Sequence, residues 1–140
     1  TFSKVYGMAG LRIGYLIAKP ELAKQIRENV VAMSNVLAIE GAKEALVDKE
    51  FFKFSLSKTN EAKETIYKTL DHLGLRYVRS HTNFVFFKSG MDIRKLGPKM
   101  LEKGVRIGRP FPPFYNWCRI STGTSQEVNR FITSILEVYS

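Results

Sequence analysis

One cysteine, Cys118, and two histidines, His72 and His81, are the whole stock of sulfur and imidazole ligands in 140 residues. A single thiol cannot close a disulfide within the chain, and three such side chains are too few for a dedicated zinc site, so no metal is expected. Long apolar runs are missing as well, and nothing approaches the roughly 20 residues that cross a bilayer. A charged-then-apolar leader of the signal-peptide kind does not occur in these residues. Internal repeats and low-complexity tracts are also missing. Acidic residues are scarce, 13 against 22 Lys and Arg, which leaves a net charge of +9. The 44% apolar share is enough for a core, which excludes wholesale disorder. The chain opens at Thr1 in what reads as a loop, and a piece of a longer protein is expected.

The positive excess is uneven. Residues 1–74 carry 11 basic and 9 acidic side chains, and residues 75–140 carry 11 and 4. Seven of the latter are arginines, dispersed along the segment, with no basic cluster longer than Arg94-Lys95. Dispersed arginines without a nucleic-acid motif argue against a nucleic-acid partner and for bidentate contacts to small carboxylates or phosphates.

Residues 12–18 read as a short strand, and Pro20 suits the first turn of a helix on which Leu22, Ile26 and Val30 recur at helical spacing. Helical patterns follow over 36–48, 49–57 and 58–73, with Gly74 as a C-cap. The period then changes. Residues 75–88 read as strand, 93–103 as helix, 105–107 and 118–121 as strands, and 108–116 (GRPFPPFYN) as a proline-rich loop. Thr124 and Glu127 are spaced as a capping box for a last helix bearing Val128, Phe131 and Ile135. The reading is an α/β (α+β) chain with a boundary at Gly74 and a C-terminal β-α-β-β-α unit, two helices on one face of a short sheet. Its expected core is Phe84, Phe86, Val105, Ile107, Ile120, Phe131 and Ile135, and Met33, Met91 and Met100 are expected to fill core.

Lys4 sits in the string SKVYGMAGLRIGY, residues 3–15. A lone lysine is ordinarily a solvated surface residue. It attacks carbonyls when it is deprotonated and held in place. Here glycines allow close approach to a bulky group, Arg12 can clamp a phosphate, and Thr1 adds a hydroxyl three residues before the lysine. The combination fits a Schiff-base site for a phosphorylated aldehyde.

That string resembles the cofactor-lysine signature of class I/II, fold-type I pyridoxal-phosphate aminotransferases, nearest to the histidinol-phosphate aminotransferase-like branch. Two further stretches extend the likeness across the chain: Asn83-Phe84-Val85, and WCRISTGT at 117–124, which resembles the strand whose arginine grips the substrate carboxylate.

The resemblance implies that residues 1–74 are the end of the large cofactor-binding domain and that 75–140 are the small C-terminal domain, a short sheet flanked by helices. It implies pyridoxal 5'-phosphate as cofactor. Lys4 would be the catalytic base and cofactor lysine, with Thr1 and Arg12 on the phosphate. Arg119 would hold the substrate carboxylate, with Asn83 and Arg109 lining the substrate side. An amino acid (or an amino phosphate such as histidinol phosphate) and a 2-oxo acid would be the substrates of a cytoplasmic homodimer that contacts neither nucleic acid nor membrane. The group that pairs with the pyridine nitrogen would come from a segment before Thr1, so the 140 residues alone are expected to be inactive. Two rival readings remain: a decarboxylase or lyase with the same cofactor, and a non-catalytic packing fragment. Tyr6 is expected to pack. Phe111, Phe114, Tyr115 and Trp117 would either wall a ligand site or cover a domain edge.

Overall fold

A computed structural model describes residues 1–140. They form two compact units, Thr1–Leu56 and Ser57–Ser140. Five helices follow one another as α1 (Pro20–Glu28), α2 (Val36–Val47), α3 (Lys49–His72), α4 (Ile93–Glu102) and α5 (Ser125–Tyr139). Three strands, β1 (Tyr77–Val78), β2 (Phe84–Lys88) and β3 (Trp117–Ser121), make one antiparallel sheet in the order β1-β2-β3.

Helix starts follow from local chemistry. Pro20 opens α1, where no amide hydrogen is required. Asn35 accepts from the amides of Leu37 and Ala38 to begin α2. Asp48 ends α2 and caps α3, since its carboxylate accepts from the Phe51 amide at 2.8 Å. Nothing in Ser57-Lys58-Thr59-Asn60 breaks the backbone pattern, so the two helices expected over 49–57 and 58–73 are one, α3. Thr124 and Glu127 form the capping box of α5 as expected.

In the second unit the expected strand over 75–88 is a hairpin. Ser80 and Thr82 turn the chain, with the Thr82 amide donating to the Ser80 hydroxyl and the Ser80 amide to the Tyr67 hydroxyl. The order is therefore β-β-α-β-α. Register places Val85 opposite Ile120 and Phe87 opposite Cys118. These four side chains are buried beneath the sheet against Ile66 and Leu70 of α3, Ile93, Leu96 and Met100 of α4, and Phe131 and Ile135 of α5. Three helices, not two, supply this core. Phe84 and Phe86 were expected inside it, but strand alternation turns them to the other face, where they are half-buried. Val105 and Ile107 pack at its margin.

The last turns of α3 belong with the sheet through Ile66, Tyr67 and Leu70. The two compact units divide at 56/57, within α3, and the period change at Gly74 falls just after that helix ends. Two expected strands are not formed. Residues 105–107 take part in no ladder, and residues 12–18 have no strand beside them, only the Phe2 amide donating to the Ile13 carbonyl at 3.2 Å. Met33, expected in a core, is 94% exposed.

Candidate active site

In the first unit, Phe2 is the anchor of the lysine loop. It is buried and packs on Tyr6 and Tyr15, with ring centres 5.1 and 5.7 Å away, while Tyr6 in turn meets Phe52. Tyr6 packs, as expected. The amides of Phe2 and Met8 donate to Ile13 and back to Phe2, which closes the loop on itself. Lys4 occupies its turn: the Gly7 amide donates to the Lys4 carbonyl at 2.9 Å, and Gly7 holds φ +68°, a conformation natural to glycine. The Lys4 side chain is exposed, and its nitrogen has neither hydrogen bond nor ion pair within the chain.

The Phe2–Ile13 bond lays Thr1-Phe2-Ser3 alongside Arg12-Ile13-Gly14. A Cβ on Gly14 would stand 3.3 Å from the Cα of Thr1. The Thr1 hydroxyl donates to the Ser3 hydroxyl at 2.8 Å and accepts from the Ser3 amide. Arg12 sits at φ 52°, a left-handed conformation that costs a non-glycine residue roughly 1–2 kcal/mol. Its guanidinium reaches back to the Ala9 carbonyl at 2.8 Å, which fixes the arm and leaves other N–H groups free. Two hydroxyls and a guanidinium on adjoining segments are a donor set suited to a phosphate dianion, with a free amine next in sequence. The residues present fit a phosphorylated aldehyde. Ser3 was not singled out from the sequence. The signal was there in two hydroxyl residues spaced i, i+2 immediately before the lysine.

In the second unit, Arg119 lies on β3 opposite Phe86, on the sheet face turned away from the core. Its guanidinium carbon is 5.5 Å from the ring centre of Phe84 and 5.0 Å from that of Phe111. No carboxylate pairs with it, and its side chain donates to no protein acceptor. A planar cation held near aromatic rings and bound to no protein acceptor keeps its donors available for bidentate contact with a carboxylate. Arg109 stands over the same Phe111 ring at 4.6 Å. The structure thus brings Arg109 together with Arg119. Asn83 precedes β2 at the end of the strand pair, where its carbonyl accepts from both the amide and the hydroxyl of Thr122 at 2.9 Å. A cleft of about 470 Å³ beside β3 is lined in part by Arg106, Arg119 and Arg130.

The family described as aminotransferase class I and II matches residues 1–135. The chain belongs to that family. It is 34% identical to histidinol-phosphate aminotransferase 2 of Legionella pneumophila (strain Lens) over 142 aligned residues, which take in 99% of this chain and 38% of that protein. It is 36% identical to histidinol-phosphate aminotransferase of Moorella thermoacetica, across 99% of this chain and 36% of that one. The crystal structure of histidinol-phosphate aminotransferase from Sinorhizobium meliloti in complex with pyridoxal-5'-phosphate superposes with a TM-score of 0.86 at 28% identity, over 99% of this chain and 39% of that one. The fold is that of the fold-type I aminotransferases, and the chain spans well under half the length of the relatives it matches.

Proposed function

We propose that the protein carrying this chain transfers an amino group between an L-amino acid, or an amino phosphate such as histidinol phosphate, and a 2-oxo acid. The observation that carries this reading is the lysine loop: an exposed, unpartnered Lys4 on the same closed loop as Thr1, Ser3 and Arg12, in a chain of the aminotransferase family. Pyridoxal phosphate, when bound, supplies an aldehyde for the amino group and a ring that withdraws electrons and so acidifies the substrate Cα–H.

Thr1, Ser3 and Arg12 would hold its phosphate by charge-assisted hydrogen bonds. With the cofactor bound, Lys4 Nζ would take the proton from the substrate Cα and deliver it to the cofactor's aldehyde-derived carbon, on the far side of the substrate nitrogen, the step that separates transamination from simple binding. Arg119 grips the substrate carboxylate edge-on, and Arg109 and Asn83 line the substrate side. A clamped carboxylate suits chemistry that retains it, which favours transfer over decarboxylation. The resemblance supports a homodimer acting in the cytoplasm, with residues 1–74 as the end of the large domain and 75–140 as the small one. The 140 residues alone are expected to show no turnover.

The test is an assay of the full-length protein with histidinol phosphate and with several amino acids against 2-oxoglutarate, beside Lys4→Ala. Glutamate formation that Lys4→Ala abolishes supports the reading. Glutamate formation that survives Lys4→Ala contradicts it, as does release of carbon dioxide from an amino acid without glutamate.

A further inference from the structure

We propose that Phe111 is a positioning residue for the carboxylate-binding arginine, an inference that rests on the assignment of Arg119 above. One aromatic ring serves two cations here. The guanidinium carbons of Arg119 and Arg109 stand 5.0 and 4.6 Å from the Phe111 centre. The two charges therefore lie within roughly 10 Å of each other, about one Debye length at 0.1 M salt. No carboxylate stands between them, and their mutual repulsion favours swinging apart into solvent. The negative face of the ring opposes this for both.

The ring itself is held. Phe111 meets Phe86 edge-on at 6.0 Å, and Phe86 stacks on Trp117 at 5.0 Å, so the three form a wall on the outer sheet face. The Phe114 amide donates to the Phe111 carbonyl at 2.6 Å, which closes a turn behind it. Phe84 is a second ring against Arg119, its centre 5.5 Å from the guanidinium carbon. The loop over 108–116 thus does more than cover an edge: its Phe111 ring fixes where the Arg119 guanidinium sits, ahead of any ligand.

In the full-length protein, Phe111→Leu keeps apolar volume and removes the π face, whereas Phe111→Tyr keeps the face. Arg119→Gln is the reference. With glutamate and 2-oxoglutarate as probes, Phe111→Leu is expected to raise KM for glutamate about three- to tenfold, the worth of one half-buried cation–π contact. Any fall in kcat should be smaller, cofactor affinity in an absorbance titration should hold within twofold, and Phe111→Tyr should restore KM. If Arg119→Gln raises KM and Phe111→Leu does not, the inference fails while the Arg119 assignment stands. An equal loss of cofactor affinity in Phe111→Leu would reveal a general structural role and overturn it. If Arg119→Gln itself leaves KM unchanged, the underlying assignment fails and the inference with it. Should the leucine variant not fold, wild-type protein labelled with 15N-arginine answers: the Arg119 Nε–Hε proton should resonate upfield of exposed arginines, and an unshifted resonance would overturn the proposal.

Discussion

The amide of Gly108 donates to the main-chain carbonyl of Arg119 at 2.8 Å, and the two backbones touch so closely that a Cβ on Gly108 would sit 2.7 Å from that oxygen. The aromatic loop is rooted on the very residue its ring orients. Gly108→Ala has to push two backbone segments apart, and neither is a flexible side-chain tip. A destabilisation of about 1–3 kcal/mol is expected, in the range of overpacked interiors. Urea unfolding of the variant checks this, and a midpoint equal to wild type would show that the approach is looser than 2.7 Å implies.

Phe86 and Phe87 are neighbours in sequence with opposite fates. Phe87 has no exposure and faces Cys118 across the sheet, whereas Phe86 faces outward toward Trp117. Phe87→Ala should cost about 3–5 kcal/mol, the range for aromatic truncations in a core. Phe86→Ala should cost clearly less and should raise KM for the amino acid by loosening the wall behind Phe111. Paired unfolding and kinetic measurements separate the two. Equal stability losses would mean that the strand is in a different register.

Much of this was legible in the sequence because it is written locally. The capping box at Thr124 and Glu127, the Pro20 helix start and the lysine-to-arginine string are fixed by residues a few positions apart. What failed to read out depends on partners far along the chain. Residues 12–18 have strand composition, but a strand also needs a neighbour, and none lies beside them. Ser80 and Thr82 break residues 75–88 into a hairpin through side-chain bonds that hydropathy does not register. Phe84 to Phe87 are all apolar, so alternation could not be seen, and the sheet face of each is decided by the helices packed beneath. The meeting of Phe111 with Arg119 was equally hidden, because it depends on the 2.8 Å Gly108 contact.

Cys118 is fully buried, and burial pushes its thiol up to about 12. The thiolate is the reactive form. Thiol reagents such as dithionitrobenzoate should leave Cys118 unlabelled in the native protein at pH 8 and label it after denaturation, as located by peptide mass. Fast native labelling would show that the sheet opens readily over Cys118.

Two carboxylates tie stability to pH. The Thr124 amide and hydroxyl hold Glu127 below its ordinary 4.5, and Arg94 side-chain and backbone bonds bring Asp92 from 3.8 to about 2. A depressed folded value means that the contribution is complete above the unfolded value and is lost as pH falls through the folded one. The thermal midpoint should therefore change little through these groups above about pH 5 and decline from there toward pH 2. Thr124→Ala should lower the midpoint at pH 7 and flatten part of the decline. An unaltered decline would remove Glu127 from the account.

The central claim is that Lys4 carries the cofactor. It is tested most directly by adding pyridoxal phosphate to the full-length protein, reducing with borohydride, digesting, and locating the phosphopyridoxyl group by mass spectrometry. Stoichiometric label is expected on the peptide containing Lys4, and it should be lost in Thr1→Ala/Arg12→Ala at cofactor concentrations that saturate wild type. Label spread over surface lysines, or concentrated on a lysine other than Lys4, would contradict it.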